Sequence, residues 1–227
     1  VADAHTVTSN GLTFGQASKG YEFNLTANLT KNWRLQANYS YTDTHFSNYG
    51  VELATWIDHE IAYWRSFNQG SLGMGNGRTI EEAIAFMVAG FGNQANLANI
   101  GEPGLRKHKV SFFTRYDLPG ERLRGAYFGG GYRYQSKNLA GTNVDNTVGF
   151  YGPSYWRADL LAGYKFRKAA VKHLGGFLDG LSLQLNVINV FDEHDPLITR
   201  IQPDGVSITR ALVQEPRTWR LQVKLDF

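Results

Sequence analysis

The strongest constraint in this sequence is an alternation of apolar and polar side chains that recurs in seven segments, each about ten residues long. It is clearest over 33–42, where Trp, Leu, Ala, Tyr and Tyr alternate with Arg, Gln, Asn, Ser and Thr. Successive side chains of a β-strand point to opposite sides, so each segment has one apolar and one polar face. The other segments lie at about 21–29, 110–118, 126–134, 156–166, 181–191 and 219–227. The sequence therefore predicts an all-β fold of seven or so antiparallel strands.

The charged residues of these segments all fall on the polar faces, and none falls on an apolar face. Strands of about ten residues are long enough to cross a bilayer. Aromatic residues concentrate at the ends of the apolar faces, where a transmembrane barrel has its two aromatic girdles. The predicted girdle residues are Trp33, Tyr41, Trp156, Trp219 and Phe227. A mean hydropathy of −0.34 is compatible with this fold, because alternation halves the apolar content of each strand.

The connections between the segments alternate in length. Those at about 30–32 and 119–124 are short, whereas those at about 44–106, 137–153 and 192–215 are long. Outer-membrane barrels have short periplasmic turns and long extracellular loops, so this order predicts a transmembrane barrel. The alternative is a soluble antiparallel sandwich, which gives no reason for the long loops to gather at one end.

Seven strands do not close a bacterial single-chain barrel, because such barrels have an even number of strands. An open sheet would also leave two unpaired hydrogen-bonding edges in lipid. We therefore expect the chain to be a fragment, with the rest of the barrel before residue 1. The alternative is a complete eight-stranded barrel whose first strand lies within 1–20, a stretch that alternates poorly and is interpreted as a loop.

Four stretches resemble the barrels of TonB-dependent outer-membrane receptors, and they occur in that family's order. They are SKGYEFNLTANLTKNWRLQANYSYTDT (18–44), LRKHKVSFFTRYDLPGERLRGAYFGGGYRYQSK (105–137), LNVINVFDEHD (185–195) and EPRTWRLQVKLDF (215–227). No single stretch is decisive, but together they cover nearly the whole chain. On this resemblance, residues 1–227 are the C-terminal part of a receptor barrel.

The resemblance implies a 22-stranded barrel in the bacterial outer membrane, with an N-terminal plug domain that is absent from this chain. It implies active uptake of a scarce ligand with energy from the TonB complex, which acts through the missing plug and TonB box. The nearest ligand class is ferric siderophores, although glycan and cobalamin receptors share these signatures. Further implied partners are outer-membrane lipid, lipopolysaccharide and the barrel-assembly machinery, the last through the strand that ends in Phe227. The alternative function is a passive porin, or a small barrel with an adhesin-like or structural role.

The longest loop, 44–106, contains the candidate ligand-binding residues. Its aromatic and ionic side chains suit the capture of an anionic or aromatic chelate, although ordinary loop packing is the alternative. These candidates are Trp56, His59, Tyr63, Trp64 and Arg65. Further on, Thr79 and Glu82 have the spacing of a capping box. Apolar residues then follow at helical spacing as far as Phe91, so a short amphipathic helix is expected.

Four arginines on the polar faces are predicted to face the lumen or the plug: Arg115, Arg133, Arg157 and Arg220. They could steer anions through the channel. They could equally pair with the nearby acids Glu22, Asp117, Asp159 and Asp226, or hold the plug.

Other chemistry finds little support in the sequence. The acidic and histidine runs at 58–60 and 192–195 consist of adjacent residues, which rarely converge on one ion, so no metal site is predicted. The chain has no cysteine and no evident catalytic constellation, so neither an enzyme nor a cofactor is expected. A net charge of +3 is too small to indicate nucleic-acid binding.

Overall fold

Seven long strands form one antiparallel sheet in the computed structural model, which describes residues 15–47, 50–66, 77–166 and 179–226. Each long strand pairs with the next one along the chain, so the prediction of seven consecutive antiparallel strands is confirmed. The strands are β1 (Gly15–Thr30), β2 (Trp33–Ser47), β3 (His108–Asp117), β4 (Ala126–Gln135), β7 (Tyr155–Phe166), β8 (Gly180–Ile188) and β11 (Thr218–Asp226).

Strand register places apolar residues of neighbouring strands opposite one another over most of one side of the sheet. Tyr21 lies opposite Tyr41, and Leu183 lies opposite Val223. We call this side of the sheet the outer wall and the polar side the inner wall. The outer wall stays uncovered: Phe23 is 63% exposed and Leu221 is 70% exposed. Such a broad apolar surface is rare on a soluble monomer and suits contact with hydrocarbon.

Two strand ends differ from the sequence prediction. Strand β1 begins at Gly15, so residues 15–20 belong to a strand and not to a loop. Gly20 packs directly against the backbone of Tyr41, where a Cβ atom would collide, and this explains the interrupted alternation there. Strand β8 ends at Ile188, because Asn189 adopts a left-handed φ of 55° and starts a turn. The predicted girdle residue Phe227, and residues 1–14, lie outside the described residues.

The loop between β2 and β3 contains two helices, α1 (Val51–Arg65) and α2 (Ile80–Ile100). The helix expected after Thr79 is present and runs further than the pattern indicated. Its capping box is formed: Glu82 N donates to Thr79 Oγ1 (3.3 Å), and Thr79 N donates to Glu82 Oε2 (2.8 Å). Helix α1 contains all five candidate ligand-binding residues of this loop, a tract for which the sequence predicted no helix. In the described part of the chain, no helix has the length and apolarity to cross a membrane.

The two later loops contain short hairpins, β5 (Asn138–Thr142) with β6 (Gly149–Gly152), and β9 (Leu197–Ile201) with β10 (Ile208–Leu212). Strand β9 lies so close to the first hairpin that Gly141 packs against the carbonyl group of Ile201. Helix α2 contacts the same hairpin, because Asn146 Nδ2 donates to Asn93 O (2.7 Å). We call the two helices and two hairpins together the loop cap. It lies at the end of the sheet where β2, β4 and β8 finish.

Candidate functional site

A chain of ion pairs crosses the inner wall just below the loop cap. Asp159 lies within ion-pair distance of Arg157 (3.2 Å) and, more loosely, of Arg133 (4.0 Å). Glu215 contacts both Arg157 (3.4 Å) and Arg220 (3.3 Å). The register puts Arg133 directly opposite Arg157, so the shared carboxylate of Asp159 offsets a repulsion between like charges. We call these five residues the arginine network.

The network carries a net positive charge, because three arginines (+3) and two carboxylates (−2) give +1. Its members differ in exposure. The Arg157 side chain is only 15% exposed, whereas those of Arg133 and Arg220 are 60% and 64% exposed. Arg157 therefore supports the wall, while Arg133 and Arg220 present donors to the space in front of it. A guanidinium group binds carboxylate and similar oxyanions with two parallel hydrogen bonds.

The turn after β8 fixes the position of the network. Asn189 is 1% exposed, and its side-chain amide donates to Glu193 O (2.8 Å) and to Glu215 O (2.9 Å). Its Oδ1 accepts from Glu193 N (2.9 Å), while its own N donates to Asp159 Oδ1 (2.9 Å). One buried asparagine thus locates both carboxylate-bearing residues of the network.

Asn189 and Glu215 were not singled out from the sequence as site residues. The available signal was the Asn-Val-Phe-Asp run at 189–192, which places a polar residue at the end of an apolar strand face. A buried polar side chain needs hydrogen-bond partners, and a left-handed backbone supplies them here. Glu215 is far from β7 in the sequence, so its ion pair with Arg157 could not be predicted from the sequence pattern.

Arg115 lies lower on the inner wall and is fully engaged. Its Nη2 contacts Asp117 Oδ1 (2.7 Å), and its guanidinium lies 3.7 Å from the centre of the Tyr127 ring. The Tyr127 ring in turn covers Gly163 so closely that no Cβ fits there, and its hydroxyl donates to Gln184 (2.8 Å). Arg115 is therefore occupied by contacts within the wall near the turn end.

Helix α1 brings three of the five loop candidates together. Trp56, His59 and Tyr63 follow one another at spacings of three and four residues, so they form one stripe of the helix. His59 is the most exposed of them. Trp64 lies nearer the side where Ile57 is buried. The stripe offers two aromatic rings and an imidazole to the surroundings of the loop cap.

Arg65 is occupied by a partner within the loop cap. Its Nε and Nη2 donate to the two carboxylate oxygens of Glu81, at 2.7 and 3.0 Å, and so join α1 to the first turn of α2. The hydrogen bond from Arg65 holds the pKa of the Glu81 carboxyl below its ordinary value. Arg65 therefore links the two helices, and it is less available to bind a ligand than the sequence suggested.

The four predicted girdle residues that the structure describes lie at two levels of the outer wall. Trp33 is at the turn end, edge-on to Tyr116 at 6.4 Å between ring centres. Tyr41, Trp156 and Trp219 are nearer the loop end. Tyr41 lies in the second half of β2, opposite His108 at the start of β3, and Trp156 and Trp219 are the second residues of β7 and β11.

The two runs considered as metal ligands do not converge. Asp58 and His59 are exposed on α1, whereas the neighbouring Glu60 is buried. In the second run, His194 Nδ1 lies 2.8 Å from Asp192 O, and this contact raises the pKa of the imidazole. Within the described ranges, no three histidine or acidic side chains are placed to hold one ion.

A family model described as "TonB dependent receptor-like, beta-barrel" matches residues 3–190. The chain belongs to the TonB-dependent receptor family. The resemblance seen in the sequence is thus confirmed, and this receptor chain is part of an outer-membrane β-barrel. No curated protein matches the sequence.

Solved receptor structures share the fold at low sequence identity. The pyoverdine outer membrane receptor FpvA from Pseudomonas aeruginosa, bound to pyoverdine, aligns with a TM-score of 0.52 and 20% identity over 93% of this chain and 22% of its own. The ferric-catecholate import receptor Fiu from E. coli K12 gives 0.52 and 20% over 93% and 21%. BauA, the ferric preacinetobactin receptor of Acinetobacter baumannii, gives 0.53 and 16% over 93% and 22%. This receptor chain spans about a fifth of the length of those proteins.

Proposed function

We propose that the complete protein is an active-transport receptor that takes up a ferric siderophore across the outer membrane, with energy from the TonB complex. On this proposal a plug domain precedes the chain, carries the TonB box and fills the barrel. Family membership supports a transport receptor over an enzyme, a passive porin or an adhesin. The named ligands of FpvA, Fiu and BauA support the siderophore class.

The observation that carries the proposal is the net positive arginine network on the inner wall beneath the loop cap. Ferric chelates built from catecholate, hydroxamate or carboxylate groups present oxygens that are negatively charged or strongly polarised. A positive wall in an enclosed space raises the local concentration of such ligands. Arg133 and Arg220, both more than half exposed, are the residues proposed to contact the chelate or an acidic surface of the plug.

The stripe on α1 is proposed as the first contact outside the wall. Trp56 and Tyr63 can stack on an aromatic chelating group, and His59 can donate a hydrogen bond to its oxygens. Trp64 and Arg65 are proposed to support this surface by packing and by the bond to Glu81. The loop cap therefore offers aromatic contacts above a cationic wall.

Uptake of radioactive iron tests the proposal in cells that lack their own siderophore receptors and express the full-length gene. We expect the double variant R133Q/R220Q to lower the apparent affinity for a ferric chelate about tenfold, since each lost charge-assisted contact is worth about 1–2 kcal/mol and its neighbours compensate in part. The matched control is K165Q/K224Q, which removes two positive charges near the turn end of the same wall. We expect the control to stay within about twofold of the parent.

Deleting the tonB gene distinguishes an active-transport receptor from a passive porin. We expect binding of the chelate at the cell surface to persist and uptake to stop. Uptake that continues without TonB and rises linearly with concentration would disprove active transport. Equal losses in R133Q/R220Q and K165Q/K224Q would remove the role assigned to the arginine network.

The remaining expectations about partners stay proposals. They concern lipopolysaccharide, outer-membrane lipid, and the barrel-assembly machinery acting on the strand that ends in Phe227.

A further inference from the structure

The outermost strand of the loop cap is β10, and one of its edges is open. Among the described residues, β10 pairs with β9 alone. Strand β9 lies between β10 and the first hairpin, where Gly152 packs against the carbonyl group of Ile198. The backbone N–H and C=O groups on the far side of β10 therefore have no strand partner within the described part of the chain.

The apolar side chains of β10 and its flanks are also uncovered. Ile208 and Leu212 are about half exposed, whereas Val206 and Val213 are more than four-fifths exposed. An open edge strand with apolar side chains is a template for pairing with another chain, and native proteins cover or block such edges. We therefore expect another segment to cover β10 in the complete receptor.

Two arginines in this hairpin indicate the chemistry of the covering segment. Arg210 of β10 is directly opposite Arg200 of β9, and both side chains are exposed. Neither has an acidic partner in the described ranges of the chain. Like charges directly opposite one another destabilise an antiparallel pair. Charged arginines are costly in hydrocarbon, so lipid is a poor cover, whereas a carboxylate from another segment would remove the repulsion.

The link between β10 and β11 fixes the position of the open edge. Residues 213–217 separate the two strands. Gln214 is buried, and its Nε2 donates to Asp195 O (2.8 Å). The next residue, Glu215, belongs to the arginine network, and its carbonyl oxygen accepts from Asn189 Nδ2 (2.9 Å). Strand β10 is therefore held at the loop end of β11.

The direction of β11 decides which segment passes β10. Strand β11 is at the edge of the sheet and runs from the loop end at Thr218 to the turn end at Asp226. In a closed antiparallel barrel, the first strand of the barrel pairs with this edge and runs in the opposite direction, because no edge stays unpaired in the bilayer. That first strand leaves the membrane beside Thr218. The loop that follows it emerges next to β10.

We propose that the extracellular loop after the first strand of the complete barrel adds an extended segment to the open edge of β10 and gives a carboxylate to Arg200 and Arg210. Backbone hydrogen bonds hold the segment, as in other cases of strand addition. Its apolar side chains cover Ile208 and Leu212. The contact closes the extracellular end of the seam where the last barrel strand meets the first.

This contact joins the first loop of the barrel to the arginine network, because β10 continues directly into Glu215. The inference rests on the closed barrel of the receptor family and is independent of the transported ligand. The chain spans about a fifth of the solved receptors, and the proposed segment belongs to the part of the receptor outside residues 1–227.

Site-specific photocrosslinking in the full-length receptor, expressed in the outer membrane, tests the partner. The photoreactive residue p-benzoyl-phenylalanine would replace Thr209 in β10 or, as a control, the exposed Val144 at the tip of the first hairpin. Mass spectrometry of the digested receptor would identify the joined peptides. The heat-dependent shift in gel mobility would verify that each barrel is folded.

We expect position 209 to be joined to the loop after the first barrel strand of the same molecule, and position 144 not to be joined to it. A crosslink from position 209 to a second receptor copy or to another protein would overturn the proposal. The absence of any crosslink to the first loop, or the same crosslink from both positions, would overturn it as well.

The arginine pair provides a second test, in which the direction of the effect is decisive. If a carboxylate pairs with the arginines, R210Q removes an attraction, and the amides of 208–212 in the full-length receptor should exchange hydrogen about fivefold faster. In an uncovered hairpin the same change removes only a repulsion, and exchange should become slower.

The control for this test is R122Q, which removes an exposed arginine from the turn between β3 and β4. We expect exchange at 208–212 to stay within about twofold of the parent in this variant. Unchanged or slower exchange in R210Q would contradict the carboxylate partner, and so would an equal acceleration in R122Q.

Discussion

Replacing Leu160 with arginine should destabilise the barrel because it places a charge at the middle of the bilayer. Leu160 points outward from β7, opposite Gly130 and Val187, and is 52% exposed. It lies four positions along the strand from Trp156 on one side and four positions from Tyr164 on the other. At about 3.3 Å per residue and a tilt of about 40°, each aromatic ring is about 10 Å away along the membrane normal.

That position sets the expected cost. An arginine on the lipid face of a barrel costs about 2–4 kcal/mol at the midplane and about 0–1 kcal/mol near the interfaces. Half of the Leu160 side chain already faces outward, so lost packing adds only about 1 kcal/mol. The free energy of unfolding of the full-length L160R protein in lipid vesicles should therefore fall by about 3–5 kcal/mol.

Leu161 provides a matched control, because it is the same residue type, one position further along β7, and faces the inner wall opposite Gly129 and Asn186. The L161R variant should lose less than about half as much, since its arginine enters a polar interior. Denaturant titration followed by tryptophan fluorescence would compare the two. Equal losses, or a larger loss in L161R, would show that the faces are wrongly assigned.

Three further changes test other contacts. Asn189→Ala removes three side-chain hydrogen bonds in a buried turn and should cost about 3 kcal/mol of unfolding free energy, measured by the same titration. Gly163→Ala should cost about 1–3 kcal/mol, because its Cβ would meet both the Tyr127 ring and the backbone carbonyl oxygen of Leu183, and only the part due to the ring should be relieved in a Tyr127→Ala background. Glu81→Gln should separate α1 from α2, measured as a longer distance between spin labels on the two helices.

The Glu81 contact also predicts a pH dependence. Because Arg65 lowers the pKa of the folded-state carboxyl, its stabilising effect is complete above the ordinary glutamate range and is lost as pH falls through the lowered value. The helix–helix distance should therefore stay short through the ordinary range and lengthen only below it. A distance that lengthens at the same pH in the wild type and in Glu81→Gln would contradict this cause.

The strands were predictable because their signal is local. A two-residue period reports the two faces of a strand whatever its neighbours are, and register then follows from matching apolar faces. Helix α1 was missed because Asp58, His59 and Glu60 interrupt its apolar face, and only the folded structure shows Ile57 buried. A helical period in such a tract becomes visible only when its packing partner is known.

Ion pairing on the inner wall was predictable only within single strands. Arg115 with Asp117 and Arg157 with Asp159 are two residues apart, so they share a face and meet. Asp226, a candidate partner of Arg220, is six residues away, or about 20 Å along an extended strand. Arg220 contacts Glu215 instead, which the turn at Asn189 holds in place. Long-range contacts of this kind leave no periodic signal in the sequence.

The carboxylate of Asp159 accepts from a loop amide and from a guanidinium at once, so the loop after β8 and the charge of the wall cannot change independently. If a ligand displaces that loop, the Asp159 carboxylate loses the hydrogen bond from the Asn189 amide. Its negative charge then interacts more strongly with the neighbouring arginines. The wall then becomes less attractive to an anion at the moment when the anion must leave it. Faster hydrogen exchange at the Asn189 amide on ligand binding would reveal this release.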